Sequence, residues 1–164
     1  CCIKLITINY IKKVPEGHHI NEIVSLNVGG TYYQTFYGTL ATRNCSFFSH
    51  IFQIDRTGRV TTLKQQVIED EQGRVFVNRD GKLFAYILQY LRDCSRMELP
   101  DDTDLLRQIG REAEFFGIDR LLTMVNEKIT DLEQRRNMRE ERLDALNSMV
   151  RHISQQLYVT SFKK

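Results

Sequence analysis

The amino-acid sequence predicts an α+β fold: a small three-stranded sheet packed with about five helices, followed by an amphipathic helix of coiled-coil character. Three observations carry this. Alternating apolar residues flank a Gly-Gly pair at 29 and 30, apolar residues recur at three-and-four spacing from Lys82 onward, and a heptad rhythm continues from Val125 to Leu157. Strands come first and helices after, so the helices gather on a small sheet instead of alternating with its strands.

Residues 1–22 read as an N-terminal extension in which His18-His19 sit in a polar linker. From Ile23 the pattern is strand-like. Val24, Leu26 and Val28 alternate with Ser25 and Asn27, and Thr31 to Tyr37 is a second β-rich run, so Gly29-Gly30 joins the two as a tight hairpin. After Asn44, a capping-type residue, Phe47, Phe48, Ile51 and Phe52 make one helical face. Residues 53–74 are polar and predict a loop with a little strand, Thr61 to Leu63 and Val67-Ile68 being the candidates. Val75 to Val77 predicts a third strand.

The stretch FVNRDGKLFAYILQYLRD, residues 76–93, sets an Arg-Asp-Gly turn between that strand and an apolar helix. Phe84, Ile87, Leu88 and Leu91 fall at i, i+3, i+4 and i+7, a core-facing stripe widened by Tyr86 and Tyr90. Leu99-Pro100 breaks the helix. Leu105, Ile109, Ala113 and Phe116 resume a helical face, Gly117 stops it, and Asp119 caps a further helix bearing Leu121, Leu122 and Val125. In residues 127–164 Gly and Pro vanish and charge rises. Ile129, Leu132, Arg136, Arg139, Leu143, Leu146, Val150, Ile153 and Leu157 then follow the a/d spacing of a coiled-coil seam, with two arginines interrupting it. The competing reading is one amphipathic helix folded back on its own domain.

Composition narrows the chemistry. A net charge of +2, from 23 basic and 21 acidic residues, builds no field that would argue for nucleic acid or an anionic membrane. No stretch approaches the roughly 18 apolar residues of a membrane span. The opening CCIKLITINYIKK lacks the marks of a secretory leader, and a chain starting with Cys reads as a fragment or processed product in the cytoplasm, with the nucleus left open.

Cys1, Cys2, Cys45 and Cys94 form no metal or disulfide pattern, and the sequon at Asn44 reads as chance. His18, His19, His50 and His152 have no partners at catalytic spacing, so a hydrolase built on Cys45 or Cys94 lacks an activating context. Gly29-Gly30 is not followed by the Lys-Ser/Thr or helix start of a phosphate cradle. Asp101-Asp102 and Glu69-Asp70-Glu71 read as helix-start and loop carboxylates. The expectation is no enzyme and no cofactor or metal.

LNVGG at Leu26 to Gly30, DEQGRVFVNRDGKLFAYILQYLRD at Asp70 to Asp93, Leu99-Pro100, and EAEFFGIDRLL at Glu112 to Leu122 occur in the order of the BTB/POZ fold. Residues 23–126 resemble its potassium-channel tetramerisation branch, the KCTD proteins above all. The resemblance implies a self-assembling module of four or five copies joined through polar side-to-side contacts, with Asn27, Arg79 and Asp80 near the subunit boundary. It further implies an adaptor that brings a client protein to a cullin scaffold of a ubiquitin ligase, with Phe52 and the turn through Gly81 and Lys82 in the comparable cullin-facing places. The alternative it offers is the cytoplasmic assembly domain of a voltage-gated potassium channel. Directional polar contacts suit a ring because they fix the rotation that closes it. The chain departs from the family at Asn78, where Asp is usual, in a longer segment over residues 53–67, and in lacking a counterpart of the interface zinc set beyond Cys94.

Overall fold

The computed structural model describes residues 17–42, 44–63 and 67–161. Cys1, Cys2 and the opening apolar segment lie outside them. The elements in chain order are β1 (His18–His19), β2 (Ile23–Val28), β3 (Thr31–Phe36), α1 (Tyr37–Leu40), α2 (Ser46–Ile51), β4 (Phe52–Ile54), β5 (Arg59–Thr62), β6 (Val75–Val77), α3 (Gly81–Asp93), α4 (Thr103–Phe116) and α5 (Asp119–Ser161), with a 3₁₀ turn at Cys94–Arg96. This is the expected α+β class with its helices on a small sheet. There are two three-stranded sheets where one was expected.

The main sheet runs β3-β2-β6, with β2 antiparallel to β3 and parallel to β6. The hairpin forms where alternation and Gly-Gly placed it. Gly29 and Gly30 have φ of +53° and +90°, the left-handed values that a two-residue turn of this twist requires. At Gly29 space matters as well as freedom, since an added Cβ would stand 2.2 Å from the Arg79 carbonyl oxygen. β6 reaches β2 only after a long excursion. Its pairs Leu26 with Val75 and Val28 with Val77 put four apolar side chains on one buried face.

The second sheet, β1-β5-β4, puts His18-His19 in a strand where a polar linker was expected, and in the loop expected over residues 53–74 it forms β4 and β5, the latter overlapping the Thr61 to Leu63 candidate. His18 pairs with Val60, and Ile54 pairs with the same residue from the other side. These strands carry little apolar alternation. Backbone pairing, the buried Val60 and Phe52, and the stacking of His18 on Tyr37 at 4.1 Å hold them in place. Val67 and Ile68 do not form a strand, although the Ile68 carbonyl accepts from Phe76 N at 2.7 Å.

α3 is the central helix. Phe84, Ile87, Leu88, Tyr90 and Leu91 are all buried, and burying each such side chain contributes on the order of 2 kcal/mol. Phe84, Phe48 and Phe116 meet pairwise at centroid distances of 5.4 to 6.1 Å, joining α3, α2 and α4 in one aromatic core. α2 begins one residue later than the Asn44 cap predicts. Its N-cap is Cys45, which makes no side-chain capping bond.

α3 also ends before Pro100 is reached, at Asp93, where Cys94 takes φ +53°. Asp102 caps α4, accepting from Asp104 N and Leu105 N at 2.9 and 3.0 Å. Gly117 closes α4 in the left-handed conformation. α5 is then one unbroken helix of 43 residues, passing residue 126 without interruption. Leu121 and Val125 are buried, Ile129 and Leu132 pack partly against the core, and the described residues from Glu133 to Tyr158 are exposed. Among the described residues no helix is long and apolar enough to cross a membrane.

Candidate functional site

The strand-to-helix turn at residues 78–82 lies against the β2–β3 hairpin, and three small networks make up the corner they form. The first starts at Asn27, which strand alternation turns to the outer face of the main sheet. Its Nδ2 donates to Asp70 Oδ2 at 2.9 Å, and its Oδ1 accepts from Gly30 N at 2.9 Å, so one side chain both closes the hairpin turn and grips the approach to β6. Asp70 in turn accepts from Arg74 Nε at 2.7 Å and from the backbone N of Gln72 and Arg74 at 3.0 Å. Burial opposes its charge, but the bonds from Asn27, Arg74 and Gln72 outweigh that and hold the carboxyl at about 2. The Arg74 guanidinium lies over the Tyr32 ring, 3.7 Å from its centroid.

Arg79 anchors the second network. Its Nε and Nη2 donate to the two carboxylate oxygens of Glu112 at 2.9 and 2.5 Å, and its guanidinium lies 4.2 Å from the Phe115 ring centroid. Glu112 is 5% exposed on the core side of α4, so this fork-to-fork pair compensates a charge taken out of water. The third network is the α3 N-terminus. Asp80 is the N-cap, with Oδ1 accepting from Lys82 N at 2.7 Å and Leu83 N at 3.2 Å. At Gly81 an added Cβ would come within 2.2 Å of Thr31 Oγ1 and 2.7 Å of the Val28 carbonyl oxygen, and its own carbonyl accepts from Tyr33 OH at 2.7 Å.

Asn27, Arg79 and Asp80 are thus brought to one corner of the molecule, where each makes bonds within its own chain. Lys82 stands exposed beside them, and Gly81 is buried. Phe52, named with Lys82 as facing a scaffold protein, is 1% exposed, its ring set edge-on to Tyr37 at 5.5 Å; its neighbours Gln53 and Ile54 are the exposed ones.

Sequence reasoning missed Asp70 as a ligand of Asn27, and missed Glu112, Arg74 and Phe115. The signal for Glu112 was present: it shares the helical face of Ile109, Ala113 and Phe116, and a carboxylate on a core face needs a cationic partner. Asp70 carried no such signal, because its partner is 43 positions away, with β3, α1, α2, β4 and β5 in between.

Beside this corner the outer face of the main sheet is open. Ile23, Tyr32 and Phe36 are each at least half exposed, whereas Val24, Leu26 and Val28 on the inner face of β2 are buried. Cys45 is not placed to act as a nucleophile. Cys45 is buried, and burial pushes its thiol up to about 11, so at neutral pH it is a protonated group 3.2 Å from the Phe116 carbonyl oxygen. No group of three His, Cys, Asp or Glu positioned for a metal occurs among the described residues.

Residues 24–125 match the family model for the BTB/POZ domain. The BTB/POZ domain-containing proteins KCTD21 of Mus musculus and of Homo sapiens are each 34% identical over 115 residues, covering 70% of this chain and 40% of the relative. An uncharacterized protein of Caenorhabditis elegans is 36% identical over 107 residues, 65% of this chain and 37% of its own length. The chain therefore spans about two fifths of the length of these curated relatives. With the family model covering more than half of the chain, and the hairpin, turn and helix order seen in the fold, this chain belongs to the BTB/POZ family, in its KCTD-like branch, a class of protein-interaction modules.

Proposed function

We propose that the chain is a self-assembling BTB adaptor whose copies close a ring of four or five, presenting clients to a cullin-based ubiquitin ligase from the surface of that ring, in the cytoplasm. The observation that carries the self-assembly is the open face of the main sheet. Ile23, Tyr32 and Phe36 stand exposed beside a charged network already fixed by internal bonds. Groups held in place before contact lose little further freedom on binding, and a mixed face of aromatic rings and directional polar groups defines one rotation between neighbours.

In this reading Asn27, Arg79 and Asp80 serve the boundary by shaping the corner that meets the next copy. A scaffold protein would meet Lys82 with the exposed Gln53 and Ile54, and not the Phe52 ring. The likeness to KCTD21 favours the adaptor over a channel assembly domain.

Solution mass tests the assembly. Light scattering at micromolar concentration is expected to give a four- or five-fold multiple of the chain mass, and the pair Tyr32→Ala with Phe36→Ala is expected to give monomers of unchanged helix content. A monomeric native chain overturns the reading. Capture of a cullin by the native chain, lost on Lys82→Glu, tests the scaffold contact.

A further inference from the structure

The two ends of the α5 seam have different surroundings. Ile129 and Leu132 are already partly covered by the chain's own core, and Lys128 to Asp101 (2.5 Å) and Arg107 to Glu133 (3.4 Å) fasten this stretch to the start and first turns of α4. Leu143, Leu146, Val150, Ile153 and Leu157 keep the same a/d spacing, and each is more than half exposed. Between the two sets lie Arg136 and Arg139, which would set guanidinium against guanidinium in a parallel seam of identical helices. Arg136 instead turns along its own helix to Glu140 at 3.2 Å.

From these facts we infer that the distal part of α5, Leu143 to Leu157, zips in parallel with the same segment of neighbouring copies, and that Arg136 and Arg139 mark the fork where the helices part toward their separate domains. The inference rests on the ring reading above, because rotation about a ring axis sends every α5 out in the same direction.

With Leu143 at a and Leu146 at d, the e and g positions inside the zipped segment are Asn147, Met149, Ser154 and Gln156, so no like charges face one another across it, and the direction follows from the ring. The apolar segment is only about 21 Å long at 1.5 Å per residue, too short to hold alone, so its pairing depends on the ring raising the local concentration of helix ends.

Site-directed cross-linking of the full chain tests this, in a background where Cys1, Cys2 and Cys94 are replaced by Ser and the buried Cys45 is kept. Leu143→Cys and Leu157→Cys, oxidised separately, are each expected to give a covalent dimer, since equivalent seam positions face one another only in parallel register. Dimers formed only when the two variants are mixed overturn the parallel direction. A particle that keeps its ring mass yet cross-links in neither case overturns the zipped segment while leaving the ring standing, whereas a monomer brings down both. Arg139→Leu should lengthen the seam toward the domain and make Arg136→Cys cross-link where the parent does not; a parent that already cross-links at Arg136→Cys overturns the fork.

Discussion

The strand-to-helix corner and the shaft of α5 are both rich in guanidinium–carboxylate pairs, yet the pairs do different work. At the corner, Arg79 grips a buried carboxylate and rests on Phe115, and Arg74 grips an Asp that also accepts from Asn27. On the shaft, Arg135 with Asp131 and Arg136 with Glu140 are one helical turn apart with both members well exposed. The first kind fixes tertiary geometry, since removing one partner strands the other without water. The second contributes a few tenths of a kcal/mol to helix and leaves tertiary geometry alone.

Four substitutions sharpen that contrast. Gly29→Ala is expected to cost most, about 3 kcal/mol in urea unfolding, because the new Cβ meets the Arg79 carbonyl oxygen in a left-handed backbone. Glu112→Ala should cost about 2 kcal/mol: it leaves Arg79 unpaired, but that side chain is already 30% exposed and can turn partly to water.

Asp70→Asn is read through pH. The native carboxyl sits at about 2, below its ordinary value of 3.8, so its charge stabilises the fold above about pH 4 and that contribution is lost as pH falls toward 2. The variant should be less stable at neutral pH and show a flatter acid limb in thermal melting, and an unchanged limb would mean that Asp70 holds nothing. Smallest of all, Asp131→Ala on the shaft should shift stability by less than about 0.5 kcal/mol.

The legible parts of the fold were those where local pattern and final burial agree. The β2–β3 hairpin combined period-two alternation with Gly-Gly, and α3 carried a complete core stripe, so each announced itself within a short window. The second sheet did not. β1, β4 and β5 have only two to four residues each, and β5 finds its partners at His18 and Ile54, so no single window holds the reason for any of the three. The site divides in the same way. Asp80 was named through the family resemblance alone, and its capping of α3 lay within reach of a local rule that was not applied to it, whereas the grips of Asp70 on Asn27 and of Glu112 on Arg79 exist only after remote segments dock, 43 and 33 positions apart in the chain. The α5 heptads were legible as a pattern. What the spacing could not reveal is that Ile129 and Leu132 are already covered by their own core, which splits one rhythm between two kinds of neighbour.

The unbroken run of α5 makes it a lever arm. Its root is clamped where Leu122 and Val125 approach within 3.5 to 3.6 Å of the position a Cβ would take on Gly110, and from Leu132 to Ser161 the helix runs on for about 44 Å, exposed over the described stretch from Glu133 to Tyr158. Over that reach, a tilt of about five degrees at the root sweeps the tip by about 4 Å. Gripping the tips is thus a sensitive way to sense, or to set, how far apart the domains stand.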